Sequence, residues 1–230
     1  MSASIPTVFI PALLCDERLY GNVIALLGDQ INARVMMSPN PRLEDSVADI
    51  LARAPEKFVL VGTSYGGNLA MEIALAAPER ITALWLMGCD PGASQTGGPD
   101  LAGGLENTPD AVIGLLAGLV VRKEATEAAE TFSTMARAVG GAAGAAQARS
   151  LAARTDCSAR LGTLTMPALV LWGEEDPLVP PAVGRKLADA LPDAQFHLLA
   201  ACGHLPTLEK PAEAAALFAK FLHQALPSAR

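Results

Sequence analysis

The run Leu60-Val61-Gly62-Thr63-Ser64-Tyr65-Gly66-Gly67 sets one hydroxyl between glycines where a β-run, Lys57 to Val61, meets a helical pattern. A chain that passes from strand to helix in so few residues turns so sharply that the residue at the corner is strained. Glycine at the flanking positions is what avoids a clash between turn, helix and strand. The pattern is a Gly-x-Ser-x-Gly nucleophile elbow, and it makes Ser64 the candidate nucleophile. Five residues of this kind also occur as ordinary strand-turn-helix corners, so the reading depends on finding partners for the serine.

A serine hydroxyl is a poor nucleophile at neutral pH and needs a base to take its proton and an acid to orient that base. There are three histidines. His197 lies within Gln195-Phe196-His197-Leu198-Leu199, which reads as a strand interior, and His223 lies in the C-terminal helical pattern. His204 follows the end of that last strand in Ala201-Cys202-Gly203-His204, where a loop carries an imidazole back toward the carboxyl edge of a sheet. His204 is the candidate base. For the acid, Leu169 to Gly173 is a near-continuous apolar strand that leaves through Glu174-Glu175-Asp176-Pro177. Asp176 leads, with Glu174, Glu175 and Asp90, which closes the preceding strand, as rivals; solvated loop charge is the ordinary fate of such carboxylates.

The order Ser64, Asp176, His204 is that of the α/β-hydrolases. Val170 to Pro180, in the form Val-Leu-Trp-Gly-Glu-Glu-Asp-Pro-Leu-Val-Pro, resembles the acid-bearing segment of that superfamily. Ala201-Cys202-Gly203-His204-Leu205-Pro206 resembles its histidine loop, followed by Glu209-Lys210-Pro211 at the start of the last helix. The resemblance runs from about Pro6 to Leu222 and is weak between Gly92 and Thr165. It implies Ser64 as nucleophile, His204 as base and Asp176 as acid, and a small carboxylesterase-like member of the superfamily. It also implies that one oxyanion N–H comes from Tyr65, after the nucleophile, and the other from the loop after the first central strand. Here that strand, Val8-Phe9-Ile10, runs into Pro11-Ala12-Leu13-Leu14 instead of the usual His-Gly pair. By position Leu13 supplies the second N–H, with Leu14 as the alternative if the loop is offset by one.

Strand patterns at Thr7 to Ile10, Ala33 to Met37, Phe58 to Val61, Thr82 to Met87, Ala168 to Trp172 and Gln195 to Leu199 alternate with helical stretches. The helices are expected at Arg18 to Leu27, Leu43 to Arg53, Asn68 to Ala76, Ala182 to Ala190 and Pro211 to Leu226. The alternation predicts an α/β, doubly wound, mainly parallel sheet of about six strands with catalytic loops at the carboxyl ends. The first strand begins so near the start that the antiparallel pair often preceding it in the family is not expected. Residues 1–92 and 165–230 form the expected core, and 93–164 an inserted helical cap. Thr108-Pro109-Asp110 opens a helix there. Val112, Ile113, Leu115, Leu116, Leu119 and Val120 fall on one face of it, expected to roof an acyl pocket or to pack on the core. Glu124 to Val139 and Ala142 to Ala153 read as two further helices, with a mobile joint at Gly140 to Gly144. Ser94 to Gly98 reads as a flexible loop.

The 230 residues, 51% of them hydrophobic, are enough for one compact core with an insertion. The net charge of −7 offers no basic face to nucleic acid or anionic lipid. The longest apolar run, Ala111 to Val121, is too short for a membrane span. The N-terminal stretch lacks a leading Lys or Arg and is interrupted by Pro6 and Pro11, so no secretory leader is expected and the cytoplasm is the default. Cys15, Cys89, Cys157 and Cys202 show no metal-type pairing and read as reduced thiols. The expectation is a serine hydrolase without cofactor or metal, acting on a small or medium apolar ester through an acyl-enzyme. Its activity is expected to rise with pH as His204 loses its proton. A thioester, a lactone, a carbon–carbon bond or transfer to another acceptor would use the same groups, and a non-catalytic ligand receptor is the reading from another class.

Overall fold

The computed structural model describes residues 4–94 and 98–226. Six strands, β1 (Ile5–Ile10), β2 (Ile31–Val35), β3 (Phe58–Thr63), β4 (Ile81–Met87), β5 (Ala168–Gly173) and β6 (Ala194–Leu199), form one sheet in the order β2-β1-β3-β4-β5-β6. Every neighbouring pair is parallel. β3 and β5 are buried at every position, as expected of strands covered on both faces.

Alternate residues supply two cores. Phe9, Val59, Val61, Trp85, Met87, Leu169 and Leu171 point to one face, which α1 (Gly21–Leu27) and α10 (Pro211–Ala225) cover with Val23, Leu27, Phe218 and Leu222. Trp85 stacks there on Phe218, with ring centroids 4.2 Å apart. Val8, Ile10, Leu60, Leu84, Leu86, Val170 and Trp172 point to the other face. It is covered by α2 (Leu43–Arg53), α3 (Tyr65–Ala76) and α8 (Pro181–Ala190).

Between β4 and β5 lie α4 (Leu101–Asn107), α5 (Pro109–Ala117), α6 (Thr126–Val139) and α7 (Gly141–Ala152). Leu105, Ile113, Phe132 and Met135 join this insertion to the first core. The insertion departs from expectation in three places. A whole helix, α4, precedes Thr108, capped by Asp100 accepting the Gly103 N–H at 2.9 Å. Thr108 stands at the N-cap of α5 ahead of Pro109, as expected, but its hydroxyl donates to Gly104 O and makes no capping bond to α5. α5 ends at Ala117, so the apolar residues 112–120 do not share one helical face: Ile113 and Val120 are buried, whereas Leu115 is 66% exposed.

The glycine-rich joint also proves narrower. Gly140, at φ 82, makes the break, and Gly141 and Gly144 lie inside α7 against Leu105 and Leu14. Of the loop expected at Ser94 to Gly98, positions 95–97 lie outside the described residues. Among the described residues no helix is long and apolar enough to cross a membrane.

Candidate active site

Ser64 links β3 directly to α3 and stands at φ 54, ψ −119, a strained conformation for a residue with a Cβ. Its N–H donates to Met87 O at 2.8 Å and its carbonyl accepts the Asn68 N–H at 3.0 Å, so the corner is tied to β4 and to the helix it starts. The flanking glycines are required by close approach. A Cβ at Gly62 would lie 2.7 Å from Gly66 C and 2.8 Å from Ala70 Cβ, and one at Gly66 would run into the carbonyls of Ile10 and Pro11.

Asp176 sits in the turn after β5 and is 6% exposed. Its Oδ1 accepts the N–H groups of Leu178 and Val179 at 2.9 and 3.0 Å, which leaves Oδ2 for His204 Nδ1 at 2.8 Å. His204 itself is 3% exposed. Its ring rests on Gly88, where a Cβ would lie 2.9 Å from Cε1 and 3.1 Å from Nδ1. Gly88, at φ 58, follows Met87, the residue that accepts the Ser64 N–H. The β4 terminus therefore carries the serine corner on one residue and the imidazole on the next. Sequence reading assigned Gly88 no role. Among the described residues no hydrogen bond joins Ser64 Oγ to the ring; such contacts are often long in unliganded enzymes and tighten with substrate.

The rival groups lie elsewhere. Glu175 holds the Arg122 guanidinium, Glu174 is exposed, and Asp90 accepts the Gly92 N–H at 2.9 Å. His197 is held in β6 opposite Leu171, its pKa lowered by burial and by the charge of Lys220. His223 is exposed on α10.

Tyr65 is the first residue of α3, where a backbone N–H has no intrahelical acceptor. In the loop after β1, the Cys15 N–H closes a turn on Ala12 O at 3.0 Å, with Leu14 at φ 61. The Leu14 N–H is taken by Gln147 Oε1 at 2.9 Å, whereas the Leu13 N–H has no acceptor among the described residues.

Sequence reading placed Glu209 only at the start of the last helix and gave Arg122 no role. Glu209, on the short helix α9 (Pro206–Glu209), accepts the Gly203 N–H at 2.9 Å on one oxygen and the Arg122 N–H at 3.1 Å on the other. Burial raises its pKa against the pull of these donors. Arg122, from the insertion, also reaches Ala201 O at 3.3 Å. All four cysteines are free and buried. Burial pushes the thiols of Cys15, Cys89 and Cys202 well above the usual range and that of Cys157 up to about 11. Among the described residues no group of acidic, His and Cys side chains is arranged to hold a metal.

A family model described as an alpha/beta hydrolase family matches residues 21–217. The chain belongs to the α/β-hydrolase family. Among curated relatives, the 2-hydroxy-6-oxononadienedioate/2-hydroxy-6-oxononatrienedioate hydrolase of Cupriavidus pinatubonensis is 33% identical over 195 residues, 76% of this chain and 64% of that one. The pimeloyl-(acyl-carrier protein) methyl ester esterase of Chromobacterium violaceum is 28% identical over 220 residues, 83% of this chain and 85% of that one. The chain spans 64%, 61% and 56% of three of the dienedioate hydrolases it matches, less than two thirds of each. Among solved structures, the enol-lactonase of Burkholderia xenovorans superposes with a TM-score of 0.86 at 18% identity, covering 95% of this α/β-hydrolase and 91% of that chain. A thermophilic esterase of Thermogutta terrifontis superposes at 0.84 with 20% identity, covering 98% and 92%. These likenesses establish the same parallel-sheet frame.

Proposed function

We propose that this α/β-hydrolase is a serine hydrolase that cleaves small or medium apolar carboxylic esters through an acyl-enzyme. The observation that carries the reading is the buried Asp176–His204 pair set against Gly88, one residue from the backbone that holds the Ser64 corner. His204 Nε2 takes the Ser64 proton as Oγ attacks the ester carbonyl. The oxyanion that forms accepts the N–H groups of Tyr65 and Leu13, and losing one such donor costs about 2.7 to 4 kcal/mol in the barrier. His204 then protonates the leaving alcohol, Asp176 holding the proton on Nδ1 and stabilising the imidazolium. Water, deprotonated by the same imidazole, attacks the acyl-enzyme and releases the acid. Helices α4 to α7 act as the cap over the acyl site.

The relatives named as dienedioate hydrolases favour a second reading, cleavage of a carbon–carbon bond beside a ketone by the same groups. A dianionic substrate would call for free cations at the cap. Among the described residues Arg122 is bound to Glu175 and Glu124, Arg137 to Asp110 and Arg149 to Glu106, while Lys123 and Arg154 carry no ion pair, so most but not all of the insertion's positive charge is matched within the protein, which favours the neutral ester.

The test is hydrolysis of p-nitrophenyl esters from acetate to long acyl chains by the wild type and by Ser64→Ala. Turnover that vanishes in the variant, with an optimum at a short or medium chain, is expected. Turnover that survives in Ser64→Ala refutes the nucleophile. Wild-type protein that ignores every ester but cleaves a hydroxy-oxo-dienedioate moves the reading to carbon–carbon hydrolysis.

A further inference from the structure

Gln147 is 2% exposed, and its Oε1 bonds the Leu14 N–H across 133 residues of sequence. Leu14 is the third residue of the Ala12–Cys15 turn and stands at φ 61. That position with positive φ belongs to turns that favour glycine or asparagine, because a Cβ is crowded there. A leucine would escape the strain by rotating the Leu13–Leu14 peptide, which carries φ back to negative values and swings the Leu14 N–H away. Within the turn, the closing bond from Cys15 to Ala12 survives in either form, so the choice between them is made from outside.

That outside hold is α7. Gln147 accepts the N–H in the strained form alone, and one turn earlier a Cβ at Gly144 would lie 3.2 Å from Leu14 Cγ, so the helix also rests on the Leu14 side chain. One turn later Ser150 is fully buried, and α7 lies against α3, the helix that Tyr65 opens. Positions 147 and 150 share a helix face. That face spans the segments carrying both candidate oxyanion donors.

We propose that Gln147 is a positioning residue for the oxyanion hole. Its amide oxygen pins the Leu13–Leu14 peptide to α7 and so anchors the loop whose preceding peptide, Ala12–Leu13, aims the Leu13 N–H at the reacting carbonyl. Gln147 does not touch the substrate. Its effect falls on the transition state, where charge develops on the oxyanion, and not on ground-state binding. The inference rests on the serine-hydrolase reading above.

The test uses the full chain with Gln147→Asn, which keeps an amide but withdraws the oxygen by one methylene, and Gln147→Glu, which keeps an acceptor in place. Two rates are read: ester turnover, and inactivation by diethyl p-nitrophenyl phosphate, whose attack by the serine develops charge on an oxygen in the same hole. The stoichiometry of phosphorylation at completion counts folded sites, so a partly folded preparation is not mistaken for a slow one. Gln147→Asn is expected to lower kcat by about 10- to 100-fold with KM changed less than about threefold, and to slow inactivation by the same factor. Gln147→Glu is expected to stay within about threefold of wild type on both rates. Wild-type kcat in Gln147→Asn, an equal loss in Gln147→Glu, or a change confined to KM overturns the proposal. Wild-type protein that neither turns over esters nor is inactivated overturns the serine-hydrolase reading itself, a different signature.

Discussion

Asp176→Asn separates the orienting role of the carboxylate from its bulk. Oδ1 serves two backbone donors, Leu178 and Val179 N–H, and Oδ2 serves one ring nitrogen. Asparagine has a single oxygen to divide between these sides. Keeping the oxygen on the two backbone donors turns the amide NH2 toward His204 Nδ1, which must then accept and moves the ring proton to Nε2. Turning the oxygen to His204 instead sets the NH2 against two part-buried N–H groups, at about 1 kcal/mol for each donor left unsatisfied. The first arrangement wins by roughly 2 kcal/mol, and in it Nε2 cannot accept the Ser64 proton. A kcat lower by about 10⁴-fold is expected, about 5.4 kcal/mol at 1.36 kcal/mol per decade. KM and the melting temperature should stay near wild type, because the turn around Leu178 and Val179 keeps its acceptor. Steady-state and single-turnover hydrolysis of the preferred p-nitrophenyl ester, with calorimetry on the same preparations, measures this. A folded Asp176→Asn variant with kcat within about tenfold of wild type would refute the tautomer argument.

Gly66→Ala places a methyl against the Ile10 and Pro11 carbonyls of an inner strand, atoms that cannot swing aside. A loss of about 3 kcal/mol or failure to accumulate as soluble protein is expected, read by urea unfolding. Among the described residues Trp85 Nε1 is buried without a partner, so Trp85→Phe removes an orphaned donor while keeping a ring on Phe218. Its unfolding free energy in urea titration should lie within about 1 kcal/mol of wild type, against a loss of about 3 to 5 kcal/mol for Trp85→Ala. Because burial raises the thiol pKa values of Cys15, Cys89 and Cys202, each stays protonated at pH 8. Labelling of the native protein by a disulfide reagent at pH 8 should run about a hundredfold or more slower than in urea, where all four thiols react; fast native labelling would contradict the buried placement.

The frame was legible because the inner strands are short apolar runs and the edge strands β2 and β6 alternate apolar with polar residues, each bounded by turn residues and separated by helices. Boundaries shifted where local signals conflicted. α3 begins at Tyr65 and not Asn68, since Gly66 and Gly67 depress helix propensity while the packing against Ile10, Pro11 and Cys89 demands them. β2 ends at Val35, although the apolar run continues through Met36 and Met37. In the insertion, α4 was invisible because two of its seven residues are glycine; the available signal was Asp100 placed to cap Gly103. Ser64, Asp176 and His204 stood out because each sits in a motif with its own local geometry. The links of Gln147 to Leu14 and of Glu209 to Arg122 did not, for they join backbone amides far away in the chain and leave no trace in spacing.

β4 and β5 lie side by side, Leu84 opposite Ala168 through Met87 opposite Leu171, although the whole helical insertion separates them along the chain. The configurational entropy lost in closing such a loop grows with the logarithm of its length, and doubling it adds only about 0.6 kcal/mol. The splice point is thus thermodynamically lenient. Asp176 and His204 lie downstream of it and are returned to Ser64 by strand pairing, whatever length of chain intervenes. On the proposed reading of α4 to α7 as a cap, exchanging that stretch for one of another size should change what the site admits without moving its chemistry. Two stitches must be copied across the graft: the amide at position 147 and the arginine at position 122, where the removable part is sewn to the permanent one.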